Sequence, residues 1–342
     1  MNGRTSSAIN TLKFICLIGV IMIHCNPMIF LGNSAGENAV MTFDVISAFL
    51  ALCVPFFFVL SGFLFFNFDS FDFRIILRKW KTRVRSLVVP YLLWCTLYGL
   101  LRIVKGLYLG YDGDGIVVDG HVSMLGFLRG YWDTGDGYPM GFALWFVRNL
   151  IVFVALAPAV YFVARRWWTA ALFLCLPLLD VNLYGIEYFV LGATLGLHKV
   201  ELSSIVNKHV GLWFLLWGVA LVAAALYFPE AVFALRYAGF MLSICLVAKF
   251  DSFWPRMARL VSENSNVFFF IYAIHGMYCP AIDKVFIKIL TPDNVLVTLA
   301  CFILSLLTNL ILSYIIFLVA KAVSPRFIDL LSGGRFIKKT RA

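Results

Sequence analysis

Uninterrupted apolar stretches of about 20 residues recur along most of this 342-residue chain, and each is long enough to cross the hydrocarbon core of a bilayer as one helix. Within lipid every backbone N–H and C=O must find its partner inside the chain, so spanning segments are helices or closed barrels. With 62% hydrophobic and 13% charged residues, no stretch of useful size remains for a water-soluble domain. The expectation is an all-α, polytopic integral membrane protein.

Hydropathy predicts about ten transmembrane helices, near residues 9–30, 40–66, 87–104, 142–163, 167–180, 185–198, 210–228, 231–249, 265–282 and 294–321. The fifth and sixth are short for a full crossing and are expected to be tilted, broken or re-entrant. Arg74, Arg78, Lys79, Lys81, Arg83 and Arg85 crowd the second connection. Arg165, Arg166, Lys199, Lys208, Lys249, Arg256 and Arg259, with Lys321, Arg326, Arg335, Lys338, Lys339 and Arg341 at the end, fall on the same side if there are ten crossings. The positive-inside rule makes that side, and both termini, cytoplasmic. The chain therefore reads as a single domain over 1–342, embedded from about 9 to 321, with a basic cytoplasmic tail at 322–342. It is expected to be multi-pass in the cell inner (plasma) membrane.

A net charge of +10 does not call for nucleic acid, because the cations sit at helix ends, where orientation and anionic headgroups account for them. The partners expected from charge are membrane lipids. The eight cysteines are scattered and form no C-x-x-C pair, so they are read as packing residues and no metal is expected. The long connection near 105–141 carries Asp112, Asp114, Asp119, Asp133 and Asp136 among glycines and is expected outside. Asp119, His121 and Asp133 there could bind a sugar, but a solvated polar loop is the default. His198 and His209 are read as rim residues.

Ionisable residues inside a span are expensive, and so they mark functional sites. The first span, KFICLIGVIMIHCNP, holds two of them, Lys13 and His24. They are about three turns and roughly 16 Å apart on one helix face, which puts Lys13 near the cytoplasmic interface and His24 deep toward the outer side. Lys13 can snorkel to headgroups. His24 either hydrogen-bonds between helices or serves as a general base, since imidazole titrates near operating pH.

The basic residue, ten positions and histidine in this span resemble the R/K-x10-H motif of the family-3 membrane acyltransferases, bacterial membrane enzymes that O-acylate surface carbohydrates. The resemblance extends in order through VPFFFVLSGFLFF (54–66), RVRSLVVPYLLW (83–94), ALWFVRNLIV (143–152) and FFFIYAIHGMY (268–278). Two features depart from the family pattern. Asn10 stands where many members have Asp, and the R-x-x-R pair before the third span is replaced by Arg83 and Arg85 with Ser86. No added extracytoplasmic domain is expected after the last span.

The resemblance implies a membrane O-acyltransferase that moves an acyl group, most simply acetyl, from cytoplasmic acyl-CoA to a hydroxyl of a lipid-linked or cell-surface carbohydrate. His24 would act as base. Ser61, Tyr91, Tyr272 or His275 would offer a hydrogen bond to the developing oxyanion. Lys13, Arg78, Lys81, Arg83 and Arg85 would hold the donor's phosphates. Arg148, with Trp145 beside it and Tyr91 on the preceding span, would contact acceptor or donor. The competing class is a transporter or flippase of a lipid-linked sugar, which would also place Lys13, His24 and Arg148 within the membrane.

Overall fold

The computed structural model describes residues 3–31, 37–50, 53–68, 71–110, 115–176, 183–200, 211–212, 215–219 and 254–334. The helices are α1 (Gly3–His24), α2 (Met28–Leu31), α3 (Glu37–Leu50), α4 (Cys53–Phe66), α5 (Phe73–Arg83), α6 (Val89–Leu109), α7 (Met124–Arg129) and α8 (Trp145–Ala155). They continue with α9 (Ala157–Ala164), α10 (Trp167–Cys175), α11 (Ile186–Leu197), α12 (Pro255–Glu263), α13 (Phe268–Ile274), α14 (Cys279–Leu290), α15 (Val295–Val323) and α16 (Pro325–Leu331). Among the described residues the one sheet is a two-stranded hairpin, β1 (Val117–Val118) with β2 (His121–Val122). Its turn residues Asp119 and Gly120 both have positive φ, 50° and 75°, as the Asp-Gly turn favoured between two strands requires.

The protein is an all-α membrane protein. Three helices among the described residues are long and apolar enough to cross a bilayer, Ile9–Leu31, Phe73–Leu109 and Val295–Val323. Two bent helix pairs raise the number to five, and Cys53–Phe66 and Ile186–Leu197 are shorter apolar helices. The spans expected at 210–228 and 231–249 lie almost wholly outside the described residues. α15 is built inside out relative to a soluble helix. Thr298, Ser305, Asn309 and Ser313 are fully buried, whereas Ile303, Leu307, Ile311, Ile315 and Val319 are exposed. Such a face is stable only against lipid. Asn294 starts this helix by accepting hydrogen bonds from the backbone N–H of Leu296 and Val297, both at 3.0 Å.

Two findings modify the expected boundaries. The basic stretch 74–85 is helical and joins α6 through a π-helical turn, Val84–Val88. Pro90 accounts for that turn, because its ring crowds the carbonyl four residues earlier and it has no N–H to offer. Part of the expected tail is also packed: α16 buries Ile328, Asp329 and Leu331, and Trp94 Nε1 donates to the Leu331 carbonyl at 3.0 Å.

Backbone contacts group the chain into two compact units. The first comprises Met1–Val20, Val45–Ile76 and Phe153–Ser265. Its centre is the tight pairing of α4 with α11. A Cβ built on Gly62 would stand 2.2 Å from the Phe189 carbonyl oxygen, and one built on Gly192 would stand 1.9 Å from that of Val59. Both positions therefore require glycine for the backbones to approach. Gly192→Ala is expected to cost about 1–3 kcal/mol, the range for overpacking a close contact. A lowered thermal midpoint of the detergent-solubilised protein would register it, and an unchanged midpoint would contradict it.

The second unit comprises Ile21–Asp44, Leu77–Val152 and Asn266–Ala342. Its core includes Trp94, Phe270 and Phe317, with ring centroids 5.3 Å apart for the first pair and 5.4 Å for the second. Phe43 packs edge-on against Phe302 at 5.3 Å.

Candidate active site

The second unit brings together two histidines far apart in sequence. His24 is the last residue of α1. His275 opens the 3₁₀ turn His275–Met277, where the span bends by 60° between α13 and α14. Local sequence explains the bend. Pro280 sits in the first turn of α14, has no N–H to donate, and would clash with the Gly276 carbonyl if α13 continued. The helix therefore ends where His275 stands.

The two imidazole rings lie 5.1 Å apart with planes inclined by 32°. Phe142 meets His24 edge-on at 5.0 Å. His275 is fully buried, while His24 is half-buried. His275 Nδ1 is 2.6 Å from the Tyr272 carbonyl oxygen. A carbonyl only accepts, so Nδ1 carries the proton and Nε2 presents a lone pair. That Nε2 is buried with no hydrogen-bond partner. A half-buried imidazole thus stands beside a buried one whose acceptor nitrogen has no partner, an arrangement suited to taking a proton from a hydroxyl.

The surrounding tyrosines hold this bend in place. Tyr272 donates its hydroxyl to the Ala143 carbonyl, and Tyr98 donates to the Ala273 carbonyl at 2.9 Å. A Cβ on Gly276 would come within 2.8 Å of the Tyr98 hydroxyl, so a larger residue there would push that hydroxyl aside. Tyr91 donates to the Tyr131 carbonyl. The Tyr131 hydroxyl lies 2.6 Å from Thr96 Oγ1. The hydroxyls of Tyr91 and Tyr272, expected as oxyanion donors, are thus both spent on backbone carbonyls.

Arg148 is half-buried on α8 beside Trp145. Its Nη1 donates to the carbonyls of Trp132 at 2.5 Å and Gly137 at 3.1 Å, and its guanidinium lies over the Trp132 ring at 5.2 Å. It therefore fastens the loop 132–138 to α8. The loop is closed from within by Asp133, whose Oδ1 accepts from the N–H groups of Gly135 at 2.7 Å and Gly137 at 2.8 Å. These bonds hold the Asp133 carboxyl below the usual carboxylate range, so their stabilisation is complete at neutral pH and is lost only as pH falls through the lowered value.

The other expected residues are distributed as follows. Arg78, Lys81 and Arg85 are exposed and Arg83 is half-buried, all on α5 or the π turn. A Cβ on Gly334 would lie 3.3 Å from Arg85 Nε, so the end of the α16 segment runs close to that side chain. Lys13 and Ser61 belong to the first unit and are half-buried. In the same unit Asn10 Nδ2 donates to Ser262 Oγ at 2.9 Å, and His198 stacks on Trp167 at 4.6 Å. His209 lies outside the described residues.

Two residues at the site escaped sequence reading, Tyr98 and Phe142. A signal for Tyr98 exists, since Tyr91, Trp94, Cys95 and Tyr98 are among the buried positions of α6 and recur at helical spacing. Nothing in the sequence singles out Phe142 from 34 phenylalanines.

A family model described as an acyltransferase domain matches residues 6–317, nearly the whole chain. No curated protein and no solved structure matches. The matched segment contains both histidines and every residue that holds them, and the chain belongs to the family-3 acyltransferases.

Proposed function

We propose that this acyltransferase moves an acetyl group from acetyl-CoA to a hydroxyl of a lipid-linked or cell-surface carbohydrate, with His24 as general base. The observation that carries this reading is the pairing of half-buried His24 with buried His275, whose Nδ1 is tied to a carbonyl and whose Nε2 is bare. His24 takes the proton from the acceptor hydroxyl as its oxygen attacks the thioester carbon. The C–O bond forms, the C–S bond breaks, and the departing CoA thiolate receives the proton. The His275 ring packs beside that of His24 and positions it.

The donor's phosphates suit the guanidinium groups of Arg83 and Arg85 and the ammonium group of Lys81, with Arg78 adding charge on the same helix, and Lys13 on α1 is by itself a further cation suited to attracting phosphate. This reading includes about ten spans, both termini in the cytoplasm and residence in the inner membrane, so that the donor is met on the cytoplasmic side. Arg148 shapes the acceptor region by holding the loop 132–138.

Membranes containing the full chain, incubated with radiolabelled acetyl-CoA, are expected to pass label to a glycan or lipid fraction. Movement of a lipid-linked sugar without label transfer would overturn the proposal in favour of a flippase. Replacing Arg83 and Arg85 together by Ala is expected to raise KM for acetyl-CoA, as loss of uniform phosphate binding does. Unchanged donor kinetics would reduce both arginines to a role in topology.

A further inference from the structure

Sequence reading assigned the cysteines to packing and foresaw no metal, but folding gathers three potential ligands at the join between the end of α1 and the start of α14. Cys25 follows His24 directly and is held by a hydrogen bond from its N–H to the Ile21 carbonyl at 2.8 Å. Cys279 and Asp283 are four residues apart on α14 and so share a face. All three side chains are fully buried. Cys25 Sγ lies 3.0 Å from Cys279 Sγ, and Cys279 Sγ lies 3.8 Å from Asp283 Oδ2. The three donor atoms all fall within 4.8 Å of one another.

The carboxylate is what makes this more than a packing contact. Asp283 Oδ1 is buried with no hydrogen-bond partner. On α15, Ser305 is fully buried, and its hydroxyl is close enough to act on the Asp283 carboxyl. A carboxyl group left half-satisfied within a membrane protein is costly, and it is retained where it has something to hold. Two thiols and a carboxyl select a borderline-soft divalent cation. Thiolates favour zinc over magnesium or calcium, and the carboxylate oxygen favours zinc over copper(I). Tetrahedral zinc, with Zn–S of about 2.3 Å and Zn–O of about 2.1 Å, needs S···S of about 3.8 Å and S···O of about 3.6 Å. The observed separations bracket these values, at 3.0 Å for S···S, 3.8 Å for Cys279 S···O and no more than 4.8 Å for the remaining pair.

We propose that Cys25, Cys279 and Asp283 form a buried zinc-binding site that ties the end of α1 to the start of α14. As each Zn–S bond forms, the thiol proton is lost to bulk water, and the carboxyl contributes its oxygen as the anion. Three protein ligands leave one tetrahedral position for a water. The bridge joins the residue next to His24 with the residue four positions after His275, so the ion sets the spacing of the two imidazoles from outside the pair. The inference does not depend on the acyl-transfer reading.

The test uses the full chain in detergent, stripped with a chelator and titrated with Zn²⁺ and, separately, with Co²⁺. Wild-type protein is expected to retain one Zn²⁺ per chain after desalting. With Co²⁺ it is expected to develop the near-ultraviolet thiolate-to-cobalt charge-transfer band. Cys25→Ser and Cys279→Ser should each lose the band and Asp283→Asn should weaken it, whereas Cys301→Ser, a fully buried thiol on α15, should keep it. Failure of the wild type to retain zinc would overturn the proposal whatever the variants do. So would undiminished binding by Cys279→Ser, or an intact mass two hydrogens light that shows Cys25 and Cys279 joined as a disulfide.

Discussion

His24→Gln is expected to lower turnover by about 10²- to 10⁴-fold, the range contributed by general acid–base catalysis, while protein level and acetyl-CoA binding persist. Gln is the informative substitution because it keeps a polar, hydrogen-bonding tip on the half-buried end of α1 but takes no proton at neutral pH. If His24 only glued helices together, Gln would serve, and turnover within a few fold of the parent would end the catalytic role. Lys13→Arg is the internal contrast on the same helix. It preserves the positive charge and should be mild if Lys13 attracts phosphate alone. An inverted order, with Lys13→Arg the more damaging, would mean that the roles assigned to the two ends of this helix are exchanged.

The second large effect is expected at His275. Asn can reproduce the Nδ1 donor, because its amide nitrogen occupies the equivalent position on the side chain, and can thus still bond the Tyr272 carbonyl. It has nothing in place of Nε2. His275→Asn therefore isolates the bare acceptor beside His24 from the packing role of the ring. A loss of about 10²-fold in kcat is expected, at the lower end of acid–base contributions, with KM for acetyl-CoA unchanged. A structural role would leave the pH dependence of kcat where it was. A role in the acid–base chemistry of His24 should move the base limb, because the ring packed beside His24 is gone. Full activity in His275→Asn would show Nε2 to be a buried atom without function. Loss of folded protein would be read against Tyr98→Phe, which removes the 2.9 Å bond to the Ala273 carbonyl and disturbs the same bend without touching either imidazole.

Several features of this molecule are properties of short stretches, and for that reason they can be read from the chain alone. A 29-residue helix such as α15 follows from local hydropathy, because lipid offers the backbone no alternative partner. The family also follows from motifs met in order, from the spacing of Lys13 and His24 to the Tyr272–His275 element, and the domain match over residues 6–317 agrees with it. The bend at His275 is local too, since Gly276 and Pro280 stand within five residues of it.

What depends on distant parts of the chain had to wait for the tertiary structure. Sequence spacing could not pair His24 with His275, or say that Tyr91 and Tyr272 spend their hydroxyls on carbonyls and that Arg148 spends its guanidinium on the loop 132–138. It took the cysteines for packing residues, yet the sulfurs of Cys25 and Cys279 stand 3.0 Å apart. The physical reason is the same in each case. Hydropathy determines that a helix enters the membrane and roughly where it stops, but in lipid all apolar faces are nearly equivalent, so helix order and rotation are chosen by close approach at glycines and by buried polar pairs. Gly62 against the Phe189 carbonyl and Gly192 against the Val59 carbonyl make that choice in the first unit. In the second, Tyr98 on the Ala273 carbonyl and Tyr272 on the Ala143 carbonyl hold the bent segment where His275 stands beside His24.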